Sequence, residues 1–333
     1  MNIISNLIPV LIVVAMVAVI VRARREPLWA EAYRRLGRNV GAMVALVVMI
    51  LYGSVAVLDS IGWSTHKNDQ RKTIIDRMFS GLPPERTYSA PMARFTTGEP
   101  HTHRLAHKHL LGTDAIGNDV LYETLRGCRT ALIIGCLTQL IVTPIALFFG
   151  MLAGYFGKRV DDTIQYVYTV LDSIPYILLL IVLLMVMGRG ILQICVALGV
   201  TTWVSLCRLV RGETLKHRDR DYVRAARALG LSHGRIMIRH ILPNLLPIVI
   251  ITATLGISAN ILAETILSYL QIGVPPDIGS WGNMIDAARL ELAREPIIWW
   301  SLASASTAVF VFVLAVNIFG DALRDSVDPR LRS

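Results

Sequence analysis

The chain has 333 residues, of which 54% are hydrophobic and 17% are charged. Soluble domains carry about 25% charged residues, so this composition excludes an ordinary soluble domain and predicts a polytopic membrane protein. The formal net charge is +9, and the basic residues cluster beside apolar stretches. Membrane topology therefore explains the charge better than binding to nucleic acid does.

Seven stretches are long and apolar enough to cross a membrane, since a helical span takes about 20 mainly apolar residues. They are residues 3–21, 40–58, 131–154, 165–187, 190–210, 244–272 and 298–320. Arginines follow the first stretch, and no small-residue cleavage site is present, so we interpret it as a retained N-terminal anchor. The sequence thus predicts an all-α polytopic membrane fold.

Basic residues predict the orientation of the spans, because short loops rich in lysine and arginine stay in the cytoplasm. Residues 22–39 carry six arginines, and residues 208–240 carry nine lysines and arginines. An even number of predicted spans separates these two loops, which places both on one side. We therefore expect a periplasmic N-terminus, a cytoplasmic C-terminus, and outer segments at 59–129 and 273–297.

The first outer segment is rich in proline, glycine and polar residues, which predict an irregular loop or small cap over 66–108. A cluster of histidines invites a metal site, with members at His101, His103, His107 and His109. No cysteine or fixed carboxylate completes such a site, and the four cysteines of the chain fit no zinc or CxxC spacing. We therefore predict no metal and no disulfide.

A turn-forming motif ends this segment at residues 109–121, His-Leu-Leu-Gly-Thr-Asp-Ala-Ile-Gly-Asn-Asp-Val-Leu. Gly112 and Gly117 permit backbone dihedrals that other residues avoid. Asp114 and Asp119 are placed to cap a following helix, which we expect to lie on the outer face before the span at 131. No acid, base or metal set supports a catalytic role for the two aspartates.

A polar, basic loop over 211–242 separates two predicted spans. Asp221 is placed as the N-cap of a helix that begins at Tyr222, and Gly230 can end that helix in the left-handed conformation. A second short helix over 232–240 would follow. The residues alone leave two interpretations open: a docking loop on which a soluble partner pushes, and an amphipathic loop held by lipid headgroups.

Polar residues inside the predicted spans are few. Glu264 is the one acid deep within a span, where an ionisable group must face protein or water. It either lines a pathway, latches a partner or is paired locally. Asn260 and Asn317 favour hydrogen bonds between helices. The arrangement of Gly150 and Gly154 favours close helix packing.

Three sets of motifs resemble one family. The loop at 221–244 resembles the coupling loop of bacterial ABC-importer permeases, with Arg224 where that family's name-giving glutamate stands. The 109–121 motif resembles a signature of dipeptide and oligopeptide permeases. Further matches keep the family's order at Ile261–Leu270, Pro275–Pro276, Ser280–Ile285 and Asn317–Arg330. The chain thus resembles permease subunits of the dipeptide, oligopeptide and nickel type, on the dipeptide permease C side, and its long outer segment is similar to that of Yej-type permeases.

The resemblance implies a type I ABC-importer permease fold with six core transmembrane helices, plus one extra N-terminal transmembrane helix. The implied parts are an anchor and basic linker at 1–39, a first core span and periplasmic loop at 40–129, a permease core at 130–325 with its coupling loop at 211–242, and a cytoplasmic tail at 326–333. The implied location is the bacterial inner membrane.

The resemblance also implies function. The chain would be a non-enzymatic subunit of an importer that moves peptides by alternating access. It would bind no cofactor itself, since it has no Walker motif; ATP and Mg²⁺ would bind to partners. The implied partners are a homologous permease subunit in a heterodimer, two ATPase subunits, a periplasmic or lipid-anchored substrate-binding protein, a peptide substrate and membrane lipid, with no nucleic acid.

The same resemblance assigns residues to roles. Coupling to the ATPase is expected at Asp221, Tyr222, Ala225, Ala226, Gly230, Leu231 and His240. The outer gate is expected at Gly112, Asp114, Gly117, Asp119, Trp281 and Gly282, and candidate pathway residues are Asn260 and Glu264. The alternative is a secondary transporter driven by an ion gradient, which predicts charge pairs within the membrane and an internal repeat. Neither is visible in the sequence. A membrane enzyme would need a catalytic set, and none is present.

Overall fold

The computed structural model describes residues 34–63, 72–81, 88–95, 104–105, 107–295 and 297–327. The predicted anchor at 3–21 lies outside these residues, as do His101, His103 and the end of the predicted tail.

Helices make up most of the described chain. They are α1 (Val40–Ser60), α2 (Ile74–Phe79), α3 (Val120–Phe156), α4 (Lys158–Asp172), α5 (Tyr176–Met187), α6 (Ile191–Arg218), α7 (Asp221–Ala228), α8 (His233–Ile236), α9 (Leu242–Tyr269), α10 (Trp281–Arg289) and α11 (Trp300–Val327). A π-helical turn, Met237–Ile241, joins α8 to α9, and a 3-10 turn, Glu291–Ala293, follows α10. Two short strands, β1 (Gly62–Trp63) and β2 (Lys72–Thr73), pair antiparallel.

Five helical stretches of the described chain are long and apolar enough to span a membrane: α1, α3, α6, α11 and the continuous run His233–Tyr269. This confirms the all-α polytopic prediction. The α4–α5 pair passes the same test only together, because the two helices are bent by 85°. The predicted span at 165–187 therefore falls on a bent helix pair. Pro175 has no N–H to donate and disfavours helical dihedrals at Ile174, so the helix breaks there.

Two further boundary predictions need correction. The separate outer-face helix expected before residue 131 does not form, because α3 runs without a break from Val120 to Phe156. The second short helix expected over 232–240 is the first part of the helical run His233–Tyr269. Pro243 therefore lies inside a continuous helix rather than at the start of a span.

Helices α3 and α6 form the closest pair in the bundle. A Cβ atom on Gly150 would lie 2.8 Å from the carbonyl oxygen of Cys207, and one on Gly154 would lie 2.7 Å from that of Arg211. Any side chain at either glycine would push the two backbones apart. This confirms that the glycine pair provides close helix packing.

Hydrogen bonds across helices tie α9 to its neighbours. The Nδ2 atom of Asn260 donates to the carbonyl oxygen of Gly135, at 3.5 Å, and the hydroxyl of Ser258 donates to Oδ1 of Asn317, at 2.7 Å. Both asparagines thus act as bonds between helices, as their positions predicted. All four cysteines are free thiols.

A polar network fixes β2 and α2 to the ends of α1 and α3. The hydroxyl of Thr73 donates to Asp59, at 3.0 Å, and the guanidinium of Arg129 lies 3.8 Å from the same carboxylate. The hydroxyl of Tyr122 donates to Asp76, at 2.7 Å. These buried bonds hold the described part of the first long segment against the start of α3.

Candidate functional site

Helix α7 buries one face in the bundle. Val223 and Ala226 stand three residues apart, hence on the same side of the helix, and both are buried. They belong to an apolar cluster, here called the anchor cluster, to which α3, α6, the π-turn and α9 also contribute. Helix α7 therefore shares one packed cluster with the ends of these long helices.

Gly230 fixes the end of α7. It has φ +77°, a conformation that residues with a Cβ rarely adopt. Its N–H donates to the carbonyl oxygen of Arg227, and the N–H of Leu231 donates to that of Ala226. This pair of bonds is a Schellman motif, and the partly buried Leu231 packs on the anchor cluster. The predicted role of Gly230 as helix terminator is confirmed.

The start of α7 differs from the prediction. The helix begins at Asp221, so the N-cap is Arg220, which makes no side-chain capping bond. Asp221 instead occupies the first turn, where a carboxylate is favoured by the positive end of the helix dipole. Ser232 likewise stands at the cap position of α8 without a side-chain capping bond.

The remaining surface of α7 is exposed. Leu229, just past its last turn, is 82% exposed. Tyr222 is 39% exposed, and Asp221 and Ala225 are also exposed. Leu229 thus adds an apolar side chain to this exposed surface. Helix α7 thus combines a rigid internal attachment with an open surface.

Hydrogen bonds that the sequence did not reveal tie this region together. The hydroxyl of Tyr155, at the end of α3, lies 2.9 Å from Nδ1 of His233. The hydroxyl of Tyr222 lies 2.7 Å from Nδ1 of His217, at the end of α6. The first contact joins residues 78 positions apart in the chain. The second joins residues five positions apart, across the turn between α6 and α7.

The π-turn lies where α8 passes into α9. Such turns are rare and frequently mark functional sites. Pro243 and Pro247 each lack an N–H, so the regular hydrogen-bond ladder cannot be complete here. The side-chain amide of Asn244 compensates by donating to the carbonyl oxygen of His240, at 2.7 Å. His240, predicted to couple to a partner, lies in this π-turn and is partly buried.

The 109–121 motif forms a rigid turn system at the start of α3. Asp119 is the N-cap and accepts bonds from the N–H groups of Leu121 and Tyr122, at 2.8 and 3.1 Å. Its other oxygen lies 2.8 Å from Nδ1 of the buried His109. The capping prediction for Asp119 is confirmed. Gly112 has positive φ, and a Cβ there would clash with the carbonyl oxygen of Ser89.

Asp114 has a different role from the predicted one. Its carboxylate accepts bonds from the N–H groups of Ile116 and Asn118, at 2.9 and 2.8 Å. It therefore closes the turn that contains Gly117, at φ +86°, rather than capping α3. Burial raises the pKa of Asp114 above its ordinary value, although these backbone hydrogen bonds oppose the rise.

Trp281 and Gly282 attach α10 to the bundle. Nε1 of the buried Trp281 donates to the carbonyl oxygen of Thr124, at 2.9 Å, and its ring lies against Gly127, where a side chain would clash. A Cβ on Gly282 would lie 2.7 Å from the carbonyl oxygen of Thr265, on α9. Both predicted gate residues thus fix α10 between α3 and α9.

Glu264 joins α9 to the start of α10 through hydrogen bonds. It is 1% exposed, and its Oε1 accepts bonds from the hydroxyls of Ser268 and Ser280, both at 2.7 Å. The carboxylate is therefore bonded within the chain, which favours the local pairing among the interpretations left open.

A cavity of about 540 Å³ opens beside these elements, here called the α10 cavity. The turn before α3, the start of α3, the α5–α6 turn and the segment from α9 to α10 line it. Its charged lining residues are Asp114, Glu123, Arg126, Arg189, Asp277 and Asp286. Asn260 and Glu264 do not line it. Among the described residues, no group of three or more metal-ligating side chains is present.

The sequence comparisons define the class of protein to which this multi-span helical bundle belongs. The family model described as "Binding-protein-dependent transport system inner membrane component" matches residues 146–333, more than half of the chain. The chain therefore belongs to this family of multi-pass inner-membrane transport components.

Individual relatives extend the similarity over nearly the whole chain. The dipeptide transport system permease protein DppC of Bacillus subtilis is 32% identical over 302 residues, 91% of this chain and 86% of the relative. The oligopeptide transport system permease protein OppC of Mycobacterium bovis is 41% identical over 229 residues, 68% and 77% of the two chains. A solved structure of the inward-facing MetNI methionine ABC transporter matches with a TM-score of 0.49 and 18% identity, covering 63% of this chain and 98% of that one.

Proposed function

We propose that this chain is a permease subunit of an ATP-driven importer that moves peptides across the inner membrane. The peptide class is supported by the dipeptide and oligopeptide permeases among its relatives. The observation that carries the mechanism is the two-faced character of α7. Val223 and Ala226 are buried in the anchor cluster, while Leu229 is 82% exposed.

The first mechanical step is transmission from α7 to the bundle. Two separate ATPase subunits bind ATP and Mg²⁺, and they grip the exposed faces of α7 in this chain and of the equivalent helix in a homologous permease subunit. When the ATPase subunits close, α7 moves. Because its buried face shares the anchor cluster with α3, α6 and α9, the ends of these helices move with it.

The second step carries this motion across the membrane. The helical run His233–Tyr269 has 37 residues, a length of roughly 55 Å at 1.5 Å per residue. At its far end the Glu264 carboxylate holds Ser280, so α10 must follow α9. Rotation at the cytoplasmic end is thereby delivered to the outer gate, and ATP hydrolysis reverses it. This is alternating access.

The remaining assignments complete the proposal. The loop with α7 and the C-terminus face the cytoplasm, while the N-terminus and α10 face the periplasm, where a substrate-binding protein delivers the peptide. The chain performs no covalent chemistry. The second candidate, transport driven by an ion gradient, lacks support from the one buried acid of α9, because Glu264 already holds two serine hydroxyls.

Reconstitution tests this proposal. The complex would be purified with its partner permease, ATPase subunits and binding protein, and placed in liposomes. Uptake of peptides should require ATP and the binding protein, and should persist when ion gradients are collapsed. Uptake without ATP that disappears with the ion gradient would support the secondary transporter instead.

Glu264 offers a separate prediction. Glu264→Gln keeps the acceptor oxygen for Ser268 and Ser280, so folded yield and peptide uptake should stay close to those of the wild type. Glu264→Ala leaves both hydroxyls without that acceptor and should cost about 1–3 kcal/mol of stability. Thermal unfolding and uptake assays measure the two effects. A normally folded Glu264→Gln protein with strongly reduced uptake would show that the charge itself acts in the pathway.

A further inference from the structure

The α10 cavity contains two exposed charged side chains without an ion-pair partner among the residues that the structure describes. The other charged groups of its wall are already bonded: Glu123 lies 3.6 Å from Arg126, and Asp286 lies 3.0 Å from Arg289. Asp114 accepts backbone N–H bonds.

Arg189 and Asp277 differ from these groups. Arg189 is exposed in the turn between α5 and α6, and Asp277 is exposed between α9 and α10. Neither side chain has an ion-pair partner among the residues that the structure describes. The cavity therefore presents one positive and one negative charge, on two different elements, to whatever enters it.

The volume of the cavity limits the size of the ligand that these charged side chains can bind. Its volume of about 540 Å³ falls within the range of roughly 300–1,000 Å³ that is typical of small-molecule sites. The neutral groups of the wall include the side chains of Gln271 and Asn283. Their amide nitrogens already donate within the chain, so their side-chain oxygens are the groups that can accept from peptide N–H groups. A small ligand with one cationic and one anionic end suits this lining.

We infer that the α10 cavity is a binding site for the two free ends of a short peptide, with the terminal carboxylate at Arg189 and the terminal ammonium at Asp277. The inference rests on the proposed peptide transport and deepens it. A guanidinium binds a carboxylate through paired, charge-assisted hydrogen bonds, and a carboxylate does the same for an ammonium group. The permease thereby selects zwitterionic peptides at the entrance of the pathway, in addition to any selection by the binding protein.

The test uses the whole transporter in liposomes with one fixed binding protein. Uptake of di-, tri- and tetraalanine would be compared with that of their C-terminal amides and of their N-acetyl forms, all at saturating concentration. Because the binding protein is the same throughout, its own preference cancels when each variant is compared with the wild type. Arg189→Gln should lower the preference for a free carboxylate about tenfold and leave the preference for a free amine unchanged.

Asp277→Asn should do the reverse. Arg189→Lys should retain most of the carboxylate preference, because it keeps the charge. Arg94→Gln is the matched control, since Arg94 is an exposed arginine that does not line the cavity; it should change neither preference. ATPase activity of each purified complex checks that the variants assemble.

The outcomes distinguish failure of this inference from failure of the proposed function. Wild-type preferences in both Arg189→Gln and Asp277→Asn would overturn the inference while leaving peptide transport standing. An equal loss of all uptake, without a change in either preference, would overturn it as well, because a structural defect has no reason to favour one peptide end. A wild-type complex that moves none of these peptides would contradict the proposed function itself, and the inference with it.

Discussion

Replacing Gly150 by leucine should leave little folded protein. The new side chain would meet the carbonyl oxygen of Cys207 and the side chain of Val210, both within 2.8 Å of its Cβ position. A flexible side chain can move aside, but the backbone of α6 cannot move without separating from α3. Overpacking typically costs about 1–3 kcal/mol, and we expect the upper end of that range or more. Yield of monodisperse protein and thermal unfolding in detergent measure the loss.

Gly212→Leu is the matched control for this change. Gly212 lies on the same helix, α6, and no atom lies within 4 Å of its Cβ position. The same substitution there should leave yield and unfolding temperature close to the wild-type values. Equal behaviour of the two leucine variants would mean that α3 and α6 are not in close backbone contact in the membrane.

Replacing Leu229 by glutamate should uncouple the transporter without unfolding it. Leu229 is 82% exposed, so the chain loses almost no internal packing. On the proposed docking surface, a charge at position 229 would have to be desolvated when the ATPase binds, and loss of a hot-spot contact costs about 2 kcal/mol or more. Peptide uptake should therefore fall roughly tenfold or more, while insertion and yield stay normal.

Met78→Glu is the control for Leu229→Glu. Met78 is 70% exposed but lies on α2, at the other end of the bundle from α7, so the same charge there should leave uptake near the wild-type rate. Unchanged uptake in Leu229→Glu would indicate that the exposed face of α7 does not transmit motion from the ATPase to the bundle. Poor insertion of Leu229→Glu would instead assign this leucine a structural role.

Local chemistry explains which features the sequence could predict. Gly112, Gly117 and Gly230 were predicted to adopt unusual dihedrals, and all three have positive φ, because few other residues tolerate that conformation. Asp119 was predicted as a cap and is one. Asp221 was predicted at the N-cap but occupies the first helical position. Aspartate is favoured at both places, so the sequence does not distinguish them.

Contacts between distant residues explain what the sequence could not predict. The bond from Tyr155 to His233 joins residues 78 positions apart, and the bond from Ser280 to Glu264 joins the start of one helix to the helix before it, across 16 positions. Nothing in their neighbours indicates such a pairing. The break at Pro175 could have been predicted from the sequence. The apolar composition over 165–187 predicts membrane burial but says nothing about helix continuity, whereas the proline itself predicts a break in the helix.

Site-specific cross-linking at α7 tests the central claim most directly. A photo-reactive phenylalanine analogue would replace Leu229 in the assembled transporter, with the same analogue at Met78 as control. We predict a cross-linked product between residue 229 and an ATPase subunit, with a yield that changes between ATP-bound and nucleotide-free complexes. Products with lipid alone, or a yield equal to that from residue 78, would contradict the role of α7 as the surface through which ATP drives transport.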